Sequence, residues 1–210
     1  MSTMTDTMKE HDEALFIPSE HTEEEYVPKV AGEYLGHIIE ARTVTREFTR
    51  DKRRVKARIF NFKVCVASEN KTKEYTIQRS DGSLRHITGE HYVDWNIVAD
   101  GVFRHLEPTE EDTFESYTSG NKKYLMFCQS LGMEIPTEER TVNDKTVKVQ
   151  LLPDIKETDL NGTPVTAVVG RGQDWIDNEG KTKPSWRVKF TKLWEDGKRL
   201  ATTTADDLPF

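Results

Sequence analysis

The sequence predicts a mainly β protein with a single prominent helix, and three features carry that prediction. Short runs rich in Val, Ile, Phe and Tyr alternate with polar residues, turns containing Gly and Asp separate them, and residues 116–131 show the clearest helical spacing. At 210 residues, with 35% hydrophobic and 32% charged side chains, the chain can bury one core and still keep a wet surface. One domain with tails is the expected organisation.

Residues 1–29 are low in apolar content and rich in Glu, so they are read as a flexible acidic arm. Phe16-Ile17-Pro18 and Tyr26-Val27-Pro28 are candidate pins to the body, and the arm is either a solubilising tail or an interaction arm. The body, residues 30–194, opens at 32–41 with glycines and β-branched residues that read as a strand with room for a bulge. A basic stretch follows. Arg42, Arg46, Arg50, Lys52, Arg53, Arg54, Lys56 and Arg58 stand against Glu47 and Asp51, a local balance of +6 with Phe48 at its centre.

That stretch runs into a second strand over 55–66, where period two places Lys56, Arg58, Phe60 and Phe62 on one face and Val55, Ala57 and Ile59 on the other. A strand, a cationic turn and a second strand with aromatics beside cations are what a stacking platform for unpaired bases requires. Stacking contributes roughly 1–3 kcal/mol per base whatever the sequence, while Lys and Arg follow the phosphates. For Phe60 and Phe62 a place in the core is the first reading and base stacking the second, since alternation alone does not say which face is wet.

Residues 71–77 and 84–87 read as a hairpin about Asp81-Gly82, with Arg79, Arg85 and His86 extending the basic surface. Residues 91–103 read as strand or short helix, and Trp95 as a core ring or a stacking one. The acidic run 107–115 reads as a surface loop. The helix places Tyr124, Phe127, Cys128 and Leu131 on one face and stops at Gly132. A short strand at 147–152 and a turn at 159–163 precede strands at 164–169 and 185–193. The loop between those strands holds Gly170, Arg171, Gly172, Trp175, Gly180, Lys181 and Lys183. In the last strand Trp186, Val188 and Phe190 share one face, and Arg187, Lys189 and Thr191 share the other, so that one face packs and the other can meet phosphate.

Three β segments, an irregular stretch, one helix and two β segments give the order of a five-stranded OB-type Greek-key barrel, with its helix between strands three and four. Its binding loops join strands one to two and four to five, and those are the two loops richest in cations and exposed-looking aromatics. The candidate DNA-binding residues are therefore Arg46, Phe48, Arg50, Lys52, Arg53, Arg54, Lys56, Arg58, Phe60, Phe62, Arg85, Trp95, Trp175, Lys181, Lys183, Trp186, Arg187 and Lys189.

The net charge of −7 looks wrong for such a binder until the charges are located. Residues 1–29 carry −6 and Asp206 with Asp207 carry −2, which leaves +1 for residues 30–205. Single-stranded DNA needs a local basic groove, so the average does not decide.

The last residues, Asp206-Asp207-Leu208-Pro209-Phe210, place two carboxylates before an apolar hook. Such a peptide suits an apolar pocket rimmed by basic residues on another protein. This tip resembles the acidic C-terminal tail of bacterial and phage single-stranded DNA-binding proteins. More loosely, the Gly-x-Tyr-x-Gly strand at 32–36 and the Leu-Asn-Gly-x-Pro-Val turn at 160–165 are similar to the phage-encoded members. The resemblance implies a protein that protects unpaired DNA during replication, recombination or repair and recruits partner enzymes through Asp206, Asp207, Leu208, Pro209 and Phe210. Unlike the bacterial family, the chain lacks a long Gly, Gln and Pro-rich linker and has only residues 195–210 as its tail. A short tether limits the reach of the tip.

No phosphate-cradling Gly-x-x-x-x-Gly-Lys-Ser/Thr, His-Glu-x-x-His or nucleophile elbow is present, so a non-enzymatic protein without cofactor is expected. Asp174, Asp177 and Glu179 are read as a solvated turn; a metal-dependent nuclease acting on DNA ends, or a protein-only adaptor, are the alternatives. Cys65 and Cys128 sit in apolar patterns and are expected as buried thiols. No apolar run is long enough for a membrane span and the N-terminus is acidic, so a cytoplasmic protein is expected. Homo-oligomerisation stays open.

Overall fold

The computed structural model describes residues 27–50, 53–78, 82–106, 114–142 and 144–201. The protein is mainly β, with one long helix. Strands β1 (Gly32–Arg50) and β2 (Arg53–Val66) form a long antiparallel pair. A hairpin of β3 (Glu74–Gln78) and β4 (Leu84–Thr88) follows, then β5 (Asn96–Val98) and β6 (Val102–His105). Helix α1 (Phe114–Ser130) leads to a hairpin of β7 (Thr137–Val142) and β8 (Lys145–Gln150) and to the one-turn helix α2 (Glu157–Leu160). Strand β9 (Pro164–Arg171), a small hairpin of β10 (Trp175–Ile176) and β11 (Thr182–Lys183), and β12 (Trp186–Lys192) complete the order.

In the main sheet β12, β9, β1, β2 and β5 lie side by side, with β6 also pairing with β2. Its two edges meet at one parallel bridge between Ala99 and Val188, where the Asp100 N–H donates to the Val188 carbonyl at 3.1 Å. The ladders form no closed barrel. The expected bulge in β1 falls between Ile39 and Arg42, where Glu40 has φ 48°. The inner face buries Tyr34, Ile38, Phe60, Phe62, Val64, Val66, Ile97, Val165, Ala167 and Val188.

Helix α1 covers that face with the residues its spacing selects. Phe127 stacks on Phe62 with centroids 5.2 Å apart, and Tyr124 stacks on Phe60 at 5.5 Å. The helix ends at Gly132, whose φ of +77° takes the left-handed turn that glycine accepts without cost. It begins at Phe114, so the last two residues of the supposed acidic loop belong to it; residues 107–113 lie outside the described residues. Residues 91–103 are neither one strand nor a helix: a 3-10 turn (Gly89–Tyr92) gives way to β5 and β6. Strand β7 was not foreseen, because Thr-Glu-Glu-Arg-Thr-Val has no apolar alternation and is held by its ladder with β8.

Asn70 fastens the loop after β2 to β1. Its Nδ2 donates to the Leu35 and Ala67 carbonyls at 2.7 and 2.8 Å, and its Oδ1 accepts from the Leu35 N–H at 3.0 Å. Being fully buried, it has no water to replace these partners. Asn70→Ala is expected to destabilise the protein by about 2 kcal/mol in urea denaturation, the cost of stranding buried backbone groups.

Residues on either side of 30–194 lie against the body, among them Val27 and Pro28 of the candidate pin. Val27 packs on the core, Pro28 accepts a hydrogen bond from the Tyr92 hydroxyl at 2.9 Å, and Lys29 lies 4.9 Å over the Trp95 ring. Burial lowers the pKa of Lys29. At the other end the His37 ring bonds the Lys198 carbonyl at 3.0 Å, and Arg199 donates to the carbonyls of Thr158, Asp159 and Asn161. Leu200 N–H reaches the Gly162 carbonyl at 2.9 Å. Residues 27–29 and 198–200 thus lie on the body.

Candidate nucleic-acid interface

The β1–β2 ladder is unbroken from Arg42 opposite Asn61 to Arg50 opposite Arg53, and directly opposed residues share a face. One face carries Arg42, Val44, Arg46 and Phe48 with Asn61, Ile59, Ala57 and Val55. It continues onto β6, where Phe103 is opposite Ile59, and onto β5, where Val98 is opposite Lys63. This is the outer side of the sheet, though it is not open throughout: on it Val55 is 6% exposed and Ala57 is fully buried. Phe48 and Phe103 meet edge to face at 5.9 Å. Phe103 is 38% exposed and Val44 39%, and Arg42, Arg46 and Asn61 are exposed around them. Lys63 pairs with Glu40 at 2.7 Å. At the β5–β6 turn Asp100 pairs with Lys189 of β12 at 2.8 Å, so the outer surface runs on to the last strand.

The other face carries Arg54, Lys56 and Arg58, as the sequence predicted, and further along the same strand Phe60 and Phe62. Here the structure corrects the expected stacking platform. Phe60 is fully buried and Phe62 is 3% exposed beneath α1, so both rings are core and neither is open to a base. Face and phase were right; the face is exposed at Arg54 and Lys56 and buried at Phe60 and Phe62, where Tyr124 and Phe127 of α1 cover it. Arg58 reaches Asp154 at 2.9 Å, and Arg104 of β6 binds the same carboxylate oxygen.

The second group of candidates lies at the far end of β2. The Val66 N–H bonds the Trp95 carbonyl, the Trp95 ring is 6.5 Å from that of Trp186, and Trp186 opposes Arg171 where β12 leaves β9. The β1–β2 and β9–β12 connections therefore stand at opposite ends of the outer surface, on the order of 40 Å of strand apart. Trp95 and Trp186 are half-buried in a cluster with Tyr34, Tyr75 and Tyr92, and Arg171 covers Trp186 at 5.7 Å. Desolvation raises the Tyr92 pKa to about 12 and those of Tyr34 and Tyr75 further. Trp175 is 54% exposed on β10. Lys181 pairs with Glu179 at 2.9 Å and Lys183 with Asp177 at 3.5 Å.

The alternation expected in β12 breaks at a bulge between Val188 and Phe190. Phe190 is consequently 49% exposed while Thr191 is buried against Ser130, reversing the faces assigned to both. Lys189 is exposed and Arg187 half-buried. Arg85 is half-buried on β4, apart from either group. Arg50 and Arg53 close the ladder, and Lys52 lies outside the described residues, as does the tip Asp206 to Phe210.

Asp174 is held by Arg171, and the Asp177 carboxylate accepts the Glu179 and Lys181 N–H groups, as a turn. Among the described residues no three His, Cys, Asp or Glu side chains cluster to hold a metal, and no helix is long and apolar enough to cross a membrane. Both cysteines are free; Cys128 is buried, with its pKa raised to about 11, but Cys65 is only half-buried, contrary to expectation, because it lies on the outer side of β2. Sequence reasoning placed Arg42 in the basic stretch without choosing it as a site residue, and it did not single out Val44, Lys63, Phe103, Arg104 or Asp154. Alternation of Arg42, Val44, Arg46 and Phe48 was a usable signal; the cross-strand neighbours on β6 had none. No family model matches the chain, and comparison with curated proteins and with solved structures gives no match either.

Proposed function

We propose that the protein binds single-stranded DNA without sequence preference, protects it during replication, recombination or repair, and passes it to partner enzymes through Asp206 to Phe210. The observation that carries this reading is the Phe48–Phe103 pair, with Phe103 exposed and Phe48 half-buried, set beside the exposed Arg42 and Arg46 on the outer side of the sheet. Rings that offer a π-face to any base, with cations within reach of the phosphates, are the requirement for sequence-tolerant binding. The topology supports it. Taken as strands one to five, β1, β2, β5, β9 and β12 have the neighbours one–two, two–three, one–four and four–five, with a parallel bridge between three and five and α1 between three and four. We read this as the strand order of an OB-type fold, with β5 taking the third place that the sequence reading gave to the 71–87 hairpin, which pairs only with itself; the outer strand-two and strand-three surface is the usual ligand face of that fold.

Anisotropy of a fluorescent oligothymidine across a salt series tests the proposal. Binding should weaken with salt at a log-log slope of roughly −0.7 per phosphate contacted, and duplex DNA should not displace the oligomer. No binding at low salt would overturn it.

A further inference from the structure

The cation row on the second face of the β1–β2 arm is not used by the outer surface. Arg54, Lys56 and Arg58 recur every second residue, about 6.6 Å apart along the strand, and Arg104 stands directly opposite Arg58 on β6. Two guanidinium groups converge on one oxygen, Oδ1 of Asp154. The two partners are held very differently from the acid between them. Arg104 is 17% exposed, lies 5.6 Å over the Tyr124 ring, and has a buried Nε with no hydrogen-bond partner. Tyr124 is itself fixed, its hydroxyl donating to the Pro153 carbonyl at 2.6 Å. Asp154 is 65% exposed on the segment between β8 and α2.

One carboxylate between two arginines leaves a positive charge uncompensated, and an exposed carboxylate gives up such a pairing readily, because water screens most of its Coulombic gain. A phosphate presents the same oxygen geometry to a guanidinium fork. We infer that Arg58 and Arg104 form a phosphate subsite of the nucleic-acid path, in which Asp154 stands in for a backbone phosphate until a strand displaces it. The inference rests on the DNA-binding reading above and adds to it an anion site away from the aromatic pair. Hydrogen bonding to Arg104 holds the Asp154 carboxyl below its ordinary pKa, so the stand-in stays charged at neutral pH.

Asp154→Asn removes the competing charge and keeps the shape. The variant should bind oligothymidine several-fold more tightly at low salt, with a salt slope steeper by about 0.7, the signature of one more phosphate contact. Arg58→Gln should make the slope shallower by the same amount. A second arm uses inorganic phosphate alone: at equal ionic strength, phosphate in place of chloride should raise the melting temperature of Asp154→Asn more than that of the wild type. Unchanged slope and affinity in Asp154→Asn overturn the inference. If neither protein binds oligothymidine but phosphate still stabilises Asp154→Asn selectively, the anion site stands and the DNA-binding reading falls.

Discussion

Phe103→Ala is expected to weaken oligothymidine binding by about 1–3 kcal/mol, which is roughly fivefold to more than a hundredfold in affinity. The ring is 38% exposed on the outer strand surface, so its removal takes away a stacking partner without opening the core. Phe48→Ala should act in the same direction. Because the two rings meet edge to face at 5.9 Å, the double variant should show a coupling of about 0.5–1 kcal/mol in a double-mutant cycle. The measurement is anisotropy at fixed salt, with near-ultraviolet circular dichroism to verify that each variant is folded. Full affinity in Phe103→Ala would remove the aromatic pair from the DNA path and leave only its cations.

The second large effect concerns stability. Phe60→Ala is expected to cost about 3–5 kcal/mol, a large share of the 5–15 kcal/mol typical of a folded domain. Phe60 is fully buried between Tyr124 and Phe127, so truncation leaves a cavity under α1 that the sheet has little freedom to close. Urea denaturation reads the loss. The milder Phe60→Leu should fold and keep its DNA affinity. Lost affinity at unchanged stability would return Phe60 to the binding surface.

These two phenylalanine sites show what the sequence could and could not disclose. Apolar residues occupy odd positions at Val55, Ala57 and Ile59 and even ones at Phe60, Phe62, Val64 and Val66, so the strand and its faces were legible from period two. Which face is dry depends on where α1 ends along the strand, and that is tertiary information. Helix α1 itself was legible, because Tyr124, Phe127 and Cys128 recur at 3.6 and Gly132 stops them. The bulge beside Lys189 was not, since one extra residue in a ladder leaves no compositional trace, and it exchanged the faces of Phe190 and Thr191. Phe103 escaped for a related reason: its importance comes from lying across from Ile59 and against Phe48, partners distant in the chain.

The anchoring of residues 198–200 beside α2 and the β1 bulge sets a geometric limit on traffic. Leu200 is moored to Gly162, so from there to Phe210 the backbone spans at most about 35 Å even when fully drawn out. On the proposed reading of Phe210 as a hook, an enzyme that grips it would be held within that radius of one corner of the body, and its landing place would be set by the mooring point as much as by the hook.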